Sequence, residues 1–393
     1  MKKIVLVSTI AAMSLFATNG DNLIGLGAKA RGMGGVGIAT YFGAENALTN
    51  PALLSNSTGF EFDFGATYFA PSVTVNNHKS KADKNMIPEV SLSQKVDDKI
   101  SYGIGMFGSA GMGVDFRDDD ELFNSRTNLL LMKIAPSISY KVNPKLSLGF
   151  APVIQYGALD ISFDSNSSAA PGGEFGPGVS DDFGIGFQLG LAYEITPDTR
   201  VGLAYKSAID MKYDKQLNST NGAASKFGVP NMTDHLEQPE EYGIGISHNY
   251  GNYTFAADYK KIKWGSAKGY KDYKWEDQDV IALGAKYEVA GTWYSIGYNH
   301  ASTPIKNLTA ADSTYYQQLN TFNHIMFPAT EETHYSVGYG TKVTKNLSIG
   351  INYVYAPKTT KNTTGMTGTG GANQAIKTEH SETSSTISFK YNF

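Results

Sequence analysis

Along most of this chain, apolar residues alternate with small or polar ones at a period of two. In TSSTISFKYNF, Ile387, Phe389, Tyr391 and Phe393 alternate with Ser388, Lys390 and Asn392. In FGIGFQLGLAYEI, Ile185, Phe187, Leu189, Leu191, Tyr193 and Ile195 alternate with Gly186, Gln188, Gly190, Ala192 and Glu194. Leu347, Ile349, Ile351, Tyr353 and Tyr355 repeat the pattern. Successive side chains of a strand point to opposite faces, so each stretch reads as a strand with one apolar and one small or polar face. The same reading predicts strands near 60–75, 87–97, 99–111, 128–142, 145–159, 183–195, 199–215, 240–250, 252–263, 279–289, 291–300, 333–344, 346–356 and 383–393. That is an even set of about 14, most of them longer than the ~9 to 11 residues with which a tilted strand crosses a bilayer.

The connections carry an independent signal. VDDK, VNPK, TPDT, YGN, VAG and VTKN are tight turns rich in Asp, Asn, Pro or Gly. Between them fall long polar links near 76–86, 112–127, 160–182, 216–239, 264–278, 301–332 and 358–382, so short and long connections strictly alternate. A soluble propeller or sandwich has no reason to keep every second connection long. A membrane barrel with short periplasmic turns and long outer loops does, and it leaves both termini periplasmic.

Composition sharpens this picture. Lys2 and Lys3 precede an apolar run from Ile4 to Phe16 that ends at the small residues Ala17 and Thr18. This reads as a secretory signal peptide over residues 1–17, too short to span a bilayer as a helix. After it, no continuous apolar run reaches transmembrane-helix length. The chain has no cysteine, which excludes disulfides and thiolate chemistry, and its net charge of -4 gives no basic footprint for nucleic acid. Only 41% of residues are hydrophobic, yet there are 24 Tyr and 20 Phe. Many aromatics with modest hydropathy fit a barrel in lipid, where only alternate residues face acyl chains and aromatic girdles mark the interfaces.

The stretch RGMGGVG holds Gly32-x-Gly34-x-x-Gly37, the spacing of a dinucleotide fingerprint. No strand-length apolar run precedes it, and the acidic Glu45 follows too early to meet a ribose. Residues 18–59 fit no barrel strand and are too glycine-rich for a stable helix. A barrel of about 14 strands is wide enough to need filling, so the segment is expected to fold into the lumen, its glycines allowing tight turns and close packing.

At these residues a family resemblance becomes specific. The run GAKARGMGGVGIATYFGAENALTNPALLS resembles the N-terminal hatch of the FadL family of outer-membrane transporters for long-chain fatty acids and hydrocarbons. Its marks are Arg31, Gly32, Gly34, Gly35 and Gly37, followed by Asn50, Pro51 and Ala52. Residues 236–264 and 327–357 carry further similarity, and Tyr391-x-Phe393 is similar to the terminal signal read by the barrel insertion machinery. The resemblance implies an all-β fold, a transmembrane antiparallel barrel of about 14 strands over residues 60–393 with residues 18–59 as a hatch in the lumen. It implies capture of hydrophobic compounds between outer loops, an internal pocket beside the hatch, and lateral release into the membrane through a kink in the third strand. No metal, cofactor or energy source enters that scheme. Its partners are hydrophobic small molecules, outer-membrane lipid and lipopolysaccharide.

Within that scheme, Gly108, Ser109, Ala110 and Gly111 are the candidates for the kink, since glycine inside a strand marks a bulge or bend. They read equally as small lumen-facing residues. Phe163, Phe175 and Val179 in one long loop and Phe227, Val229, Met232 and Leu236 in another are candidate capture residues, because apolar side chains on polar loops mark a binding surface or loop-to-loop packing. Trp264 and Trp275 bracket a loop as an interfacial belt would. The acidic run Asp115, Asp118, Asp119, Asp120 and Glu121 reads as a solvated loop rather than a calcium loop, whose spacing it lacks. The chain shows no His-Glu-x-x-His, Gly-x-Ser-x-Gly or Walker motif. His334 and Ser336 share a strand face without an evident acidic orienter, so no catalytic residue is assigned. The alternative function is a general porin or an adhesive surface barrel. A porin carries charged constrictions and no hatch.

Overall fold

The computed structural model describes residues 18–165 and 173–393. The expected signal peptide lies outside them. The described residues form a closed antiparallel barrel of 14 main strands. These are β1 (Phe60–Val75), β2 (Asn85–Lys95), β3 (Ile100–Asp115), β4 (Arg126–Asn143), β5 (Leu146–Ser165), β6 (Ser180–Thr196) and β7 (Thr199–Lys206). The second half comprises β8 (Glu241–Tyr250), β9 (Tyr253–Ile262), β10 (Gln278–Val289), β11 (Thr292–Ala301), β12 (Thr333–Lys342), β13 (Leu347–Thr367) and β14 (Gly371–Asn392). Each strand pairs with the next, and β14 closes on β1 from Thr378 with Val75 to Asn392 with Glu61.

Alternation along each strand divides the wall into two faces. Phe183, Ile185, Ile296, Tyr294 and Val337 point outward and are more than half exposed, while Gly, Ser, Asn and Gln point inward and are buried. The outward set forms the apolar surface that a bilayer covers. The short turns are built from local chemistry: Asn143 Oδ1 accepts from the amides of Lys145 at 2.8 Å and Leu146 at 2.9 Å, and Asp97 Oδ1 accepts from Lys99 and Ile100 at 2.7 Å.

Two stretches differ from the sequence expectation. The link near 358–382 is almost entirely strand, because β13 and β14 continue as one long hairpin with a turn at 368–370. Its Thr-rich sequence lacks an apolar face yet has high strand propensity, and the partner strand satisfies its backbone. Conversely, β7 stops at Lys206, and residues 207–215 leave the wall to bridge Ile209 with Gln238 and Lys212 with His235.

The N-terminal segment carries two-residue strands at Thr18–Asn19 and Asn22–Leu23, a short helix α1 (Gly27–Gly32), and 3-10 turns at Ala44–Leu48 and Pro51–Asn56. Inward side chains from around the wall bind its backbone. Ser295 Oγ donates to Gly32 O at 2.9 Å, Asn299 Nδ2 to Gly34 O at 3.0 Å, Asn352 Nδ2 to Ala28 O at 3.1 Å and Ser139 Oγ to Ala52 O at 2.9 Å. The polar inner face therefore satisfies a chain that has little regular structure of its own.

Candidate functional site: a lumen cavity beside a window in the wall

Gly34 and Gly35 have φ of 72° and 83°, and a Cβ at Gly34 would run into the backbone of Leu283 and Tyr298. Gly32 lies against Ser295 and Gly338, and the amides of Gly37 and Ile38 donate to Asp258 Oδ2 at 2.7 and 2.9 Å. Asn50 caps the turn at Pro51 by accepting from Ala52 N at 3.1 Å, and its Nδ2 donates to Ile38 O at 2.6 Å and Leu191 O at 3.1 Å. Ala52 and Asn50 press against Gly149 of β5 and Gly190 of β6, where any side chain would collide with them. Arg31 donates from Nε to Gly25 O at 2.8 Å and from Nη1 to Thr386 Oγ1 at 3.0 Å, and it forms a buried ion pair with Glu89 of β2. Glu89, which no sequence motif marked, also accepts from Gly27 N at 3.1 Å.

Glu89 stands at a fork. The pairing of β2 with β3 ends at Glu89 with Phe107, next to Pro88, which has no N–H to offer a ladder. On β3 the register against β4 shifts between Gly108 and Ala110, so Ser109 is the extra residue of a bulge. Beyond the fork, β3 takes a different neighbour: Asn22 pairs with Ala110, and Gly111 N donates to Asp21 O at 3.0 Å. The opposite edge is bridged by the link after β1, where Ser80 N donates to Val73 O at 2.9 Å and Lys81 N to Asp115 O at 2.8 Å. The result is a framed window between β3 and the β1–β2 pair, which stays joined as far as Phe69 with Asn85. Phe69 and Ile87 fill it with Leu23 and Ala82 against them.

Inside, a cavity of about 80 Å³ lies between the N-terminal segment and β3 to β9. Leu23, Ile24, Leu26, Ile38, Val153 and Phe187 give it apolar walls, while Asn22 and Ser109 place its edge at the window. Lys133, Lys206, Lys260, Glu241 and Asp258 supply charge. Lys206 pairs with Glu241 at 2.9 Å, and Asp258 is taken by two backbone amides. Among the described residues Lys133 makes no hydrogen bond or ion pair.

At the long-loop end, Phe163 stacks on Phe175 with centroids 5.0 Å apart and meets Phe227 at 5.1 Å, and Phe227 meets Phe123 at 5.7 Å. Val229, Met232 and Leu236 are buried in the same apolar core, so the two candidate loops pack into each other. Val179 stands apart, 66% exposed. Trp264 and Trp275 do not form an interfacial belt. Both are buried and packed edge-on, 5.3 Å apart, with Tyr270 between them, and their indole N–H groups donate to Gln278 and Asn323. They start and end a loop that turns inward, so position in sequence alone misplaced them. Outward tyrosines such as Tyr253, Tyr294 and Tyr339 face lipid instead. In the acidic loop, Asp115 pairs with Arg117 at 2.6 Å and Asp118 with Lys81 at 2.8 Å. No group of His, Asp or Glu among the described residues has metal-holding geometry. His334 does have an acidic neighbour, Glu382 at 3.2 Å, which lies on a strand remote in sequence. Ser336 Oγ, however, accepts from Gly34 N at 3.0 Å, and no hydrogen bond joins it to His334, whose Nε2 faces Glu382 and whose Nδ1 has no partner among the described residues.

A lipid-facing barrel whose lumen holds a folded segment, an apolar cavity and a framed gap in its wall defines a class: outer-membrane channels for hydrophobic solutes. The sequence agrees. Residues 4–393 match the family model described as outer membrane protein transport protein (OMPP1/FadL/TodX), and the chain belongs to that family. It is 24% identical over 362 residues to the long-chain fatty acid transport protein of Escherichia coli O6:H1, covering 77% of this chain and 80% of that one. It is 22% identical to outer membrane protein P1 of Haemophilus influenzae, over 88% of this chain and 89% of the relative. In fold it is similar to a Pseudomonas aeruginosa FadL homologue, with a TM-score of 0.74 and 16% identity over 95% of this chain and all of that one. The Pseudomonas putida toluene transporter TodX aligns with a TM-score of 0.70 and 19% identity over 95% and 99% of the two chains.

Proposed function

We propose that this barrel takes up hydrophobic compounds across the outer membrane by passive diffusion, with lateral release through the window between β3 and the β1–β2 pair. The observation that carries this reading is the continuity of the cavity with that window: Asn22 lines the cavity and pairs with Ala110 at the window's edge. In this reading the long loops face outward and the short turns and termini face the periplasm. Residues 18–59 are the hatch, and Arg31, Gly32, Gly34, Gly35, Gly37 and Asn50-Pro51-Ala52 seat it. Solute enters over the loop cluster of Phe163, Phe175, Phe227, Val229, Met232 and Leu236, with Val179 at its exposed rim, and descends into the cavity. The bulge at Gly108 to Gly111 parts the wall. An apolar solute gains free energy by leaving water for the cavity and again on reaching lipid.

The unpaired Lys133 favours fatty acids over plain hydrocarbons. An ammonium group in an apolar chamber costs less when a carboxylate meets it, and neither chamber carboxylate pairs with Lys133: Glu241 is paired with Lys206, and Asp258 Oδ2 takes two backbone amides. Names borne by relatives allow either cargo, as the E. coli relative is a fatty acid transport protein and TodX a toluene transporter. Contacts with lipopolysaccharide, insertion through Phe393 and the absence of catalysis belong to the same proposal. The test is mass spectrometry of ligands carried by protein purified in mild detergent, together with uptake of labelled oleate and toluene by cells with and without the protein. Bound lipid and protein-dependent oleate uptake support the reading. Uptake of small polar solutes alone would leave a porin.

A further inference from the structure

The inner mouth of the window meets a second, smaller cavity of about 20 Å³. Pro71 and Val73 of β1 and Met112 of β3 line one side, and Pro328, Ala329 and His380 the other. Pro328 and Ala329 belong to the link before β12, residues 327–332, which is tucked inward and almost fully buried. What holds this link is a buried set of four ionisable side chains. Glu382 of β14 lies 3.2 Å from His334 Nε2 of β12 and 3.2 Å from His380 Nε2 of its own strand. The other nitrogen of His380, Nδ1, stands 3.1 Å from Pro328 O and 3.8 Å from Glu331 Oε1, both on the link. Three of the four are anchored in the wall, and only Glu331 moves with the link.

We propose that Glu382 and His380 are positioning residues that clasp the 327–332 link across the inner mouth of the window, and that alkaline conditions release it. The inference rests on the side-release reading. Donation from both nitrogens of His380, to Glu382 and to Pro328 O, requires an imidazolium. A neutral ring has one N–H, so losing the proton forfeits one of the two bonds. Burial pushes the Glu331 carboxyl up to about 8, with His380 opposing and Glu382 adding to the rise. Once the link is undocked, Glu331 regains ordinary acidity. Docking therefore retains a proton between that ordinary value and about 8, and the docked state loses ground as pH rises through this range. Both groups push in the same direction.

Charges on the neighbouring elements do not reverse this sign. Glu332 is paired with Lys361 of β13 at 2.6 Å, and His324, on the helical turn before the link, is held neutral by burial. The window edges contribute Pro71, Val73 and Met112, none ionisable. Asp21, beyond Gly20 at the cavity edge, is bonded to Tyr270 and Gln238.

The experiment uses the full chain in proteoliposomes at about pH 6 and about pH 8.5, with labelled toluene, which does not ionise, as the probe. Hydrogen exchange of residues 327–332, corrected for the chemical exchange rate, reports docking separately. In the wild type, protection should fall about tenfold at the higher pH and toluene passage should rise several-fold. Glu331→Gln should keep more of its protection at the higher pH than the wild type does, because only His380 then titrates, while His380→Gln should lose protection at both. Equal exchange in wild type and Glu331→Gln at the two pH values would overturn the clasp. If exchange responds as expected while toluene passage stays flat, the clasp stands without a transport role and it is the side-release reading that fails.

Discussion

Arg31 of the N-terminal segment and Glu89 of β2 meet in an ion pair sealed inside the barrel, both side chains almost fully buried. Glu89 is also the last residue of β2 paired with β3. One carboxylate thus joins the segment that fills the lumen to the fork from which the window opens. Removing one partner of a buried pair leaves an uncompensated charge, at a cost of about 3 to 5 kcal/mol. Arg31→Ala is therefore expected to loosen the segment and raise permeability to small polar solutes, while Glu89→Gln, which keeps a hydrogen-bonding side chain, should do so less. Single-channel conductance of the two variants checks this, and equal, wild-type conductance in both would count against the role.

A larger lesion gives the limiting case. Deleting residues 18–52 removes the chain that Ser139, Ser295, Asn299 and Asn352 bind. The 14 strands close without it, through β14 and β1. The variant should insert as a heat-modifiable barrel yet conduct ions freely and admit hydrophilic antibiotics. Liposome swelling with sugars of graded size measures the bore, and a closed barrel after deletion would remove the hatch assignment.

Much of this fold was legible in the sequence. Period-two alternation yields the strands of the wall, and alternating connection lengths give their order, because in a barrel both follow from local chain direction. The site was less legible. Lys133, Glu89 and Glu382 occupy inward positions that look like any polar position of an amphipathic strand, and only closure of the barrel brings them to the N-terminal segment or to each other. The 358–382 stretch was misread because, beyond the bilayer, a hairpin needs no apolar face. Trp264 and Trp275 were misplaced because a loop's ends do not reveal whether it folds in or out.

Cargo choice should respond to Lys133. With Lys206 paired to Glu241, Lys133 and Lys260 are the chamber lysines that make no ion pair among the described residues, and Lys133 stands on β4 away from the Lys206–Glu241 pair. A charge-assisted hydrogen bond contributes about 1.5 to 3 kcal/mol, so Lys133→Gln should weaken oleate binding about tenfold or more and leave toluene binding almost unchanged. Calorimetric titration of both ligands decides it. An equal loss for the two would mean that the side chain shapes the cavity rather than recognising a carboxylate.

The window itself has two sequence causes, and correcting both should close it. Pro88 has no N–H for a ladder at the fork, and Ser109 is the extra residue that throws β3 out of step. Deleting Ser109 lets Gly108 run directly into Ala110, whose partners Met132 and Leu131 are already consecutive on β4. The inward set of Phe107, Ala110, Met112 and Val114 then keeps its face, so the pleat is preserved. Adding Pro88→Val restores the missing donor and lets β2 continue alongside. The double variant should fold with unchanged heat-modifiability, bind ligand in the cavity as before, and lose most of its uptake. Retained uptake in a variant shown to bind ligand would mean that solute leaves by another route, through the N-terminal segment to the far end of the lumen. Binding and passage must therefore be measured on the same preparation.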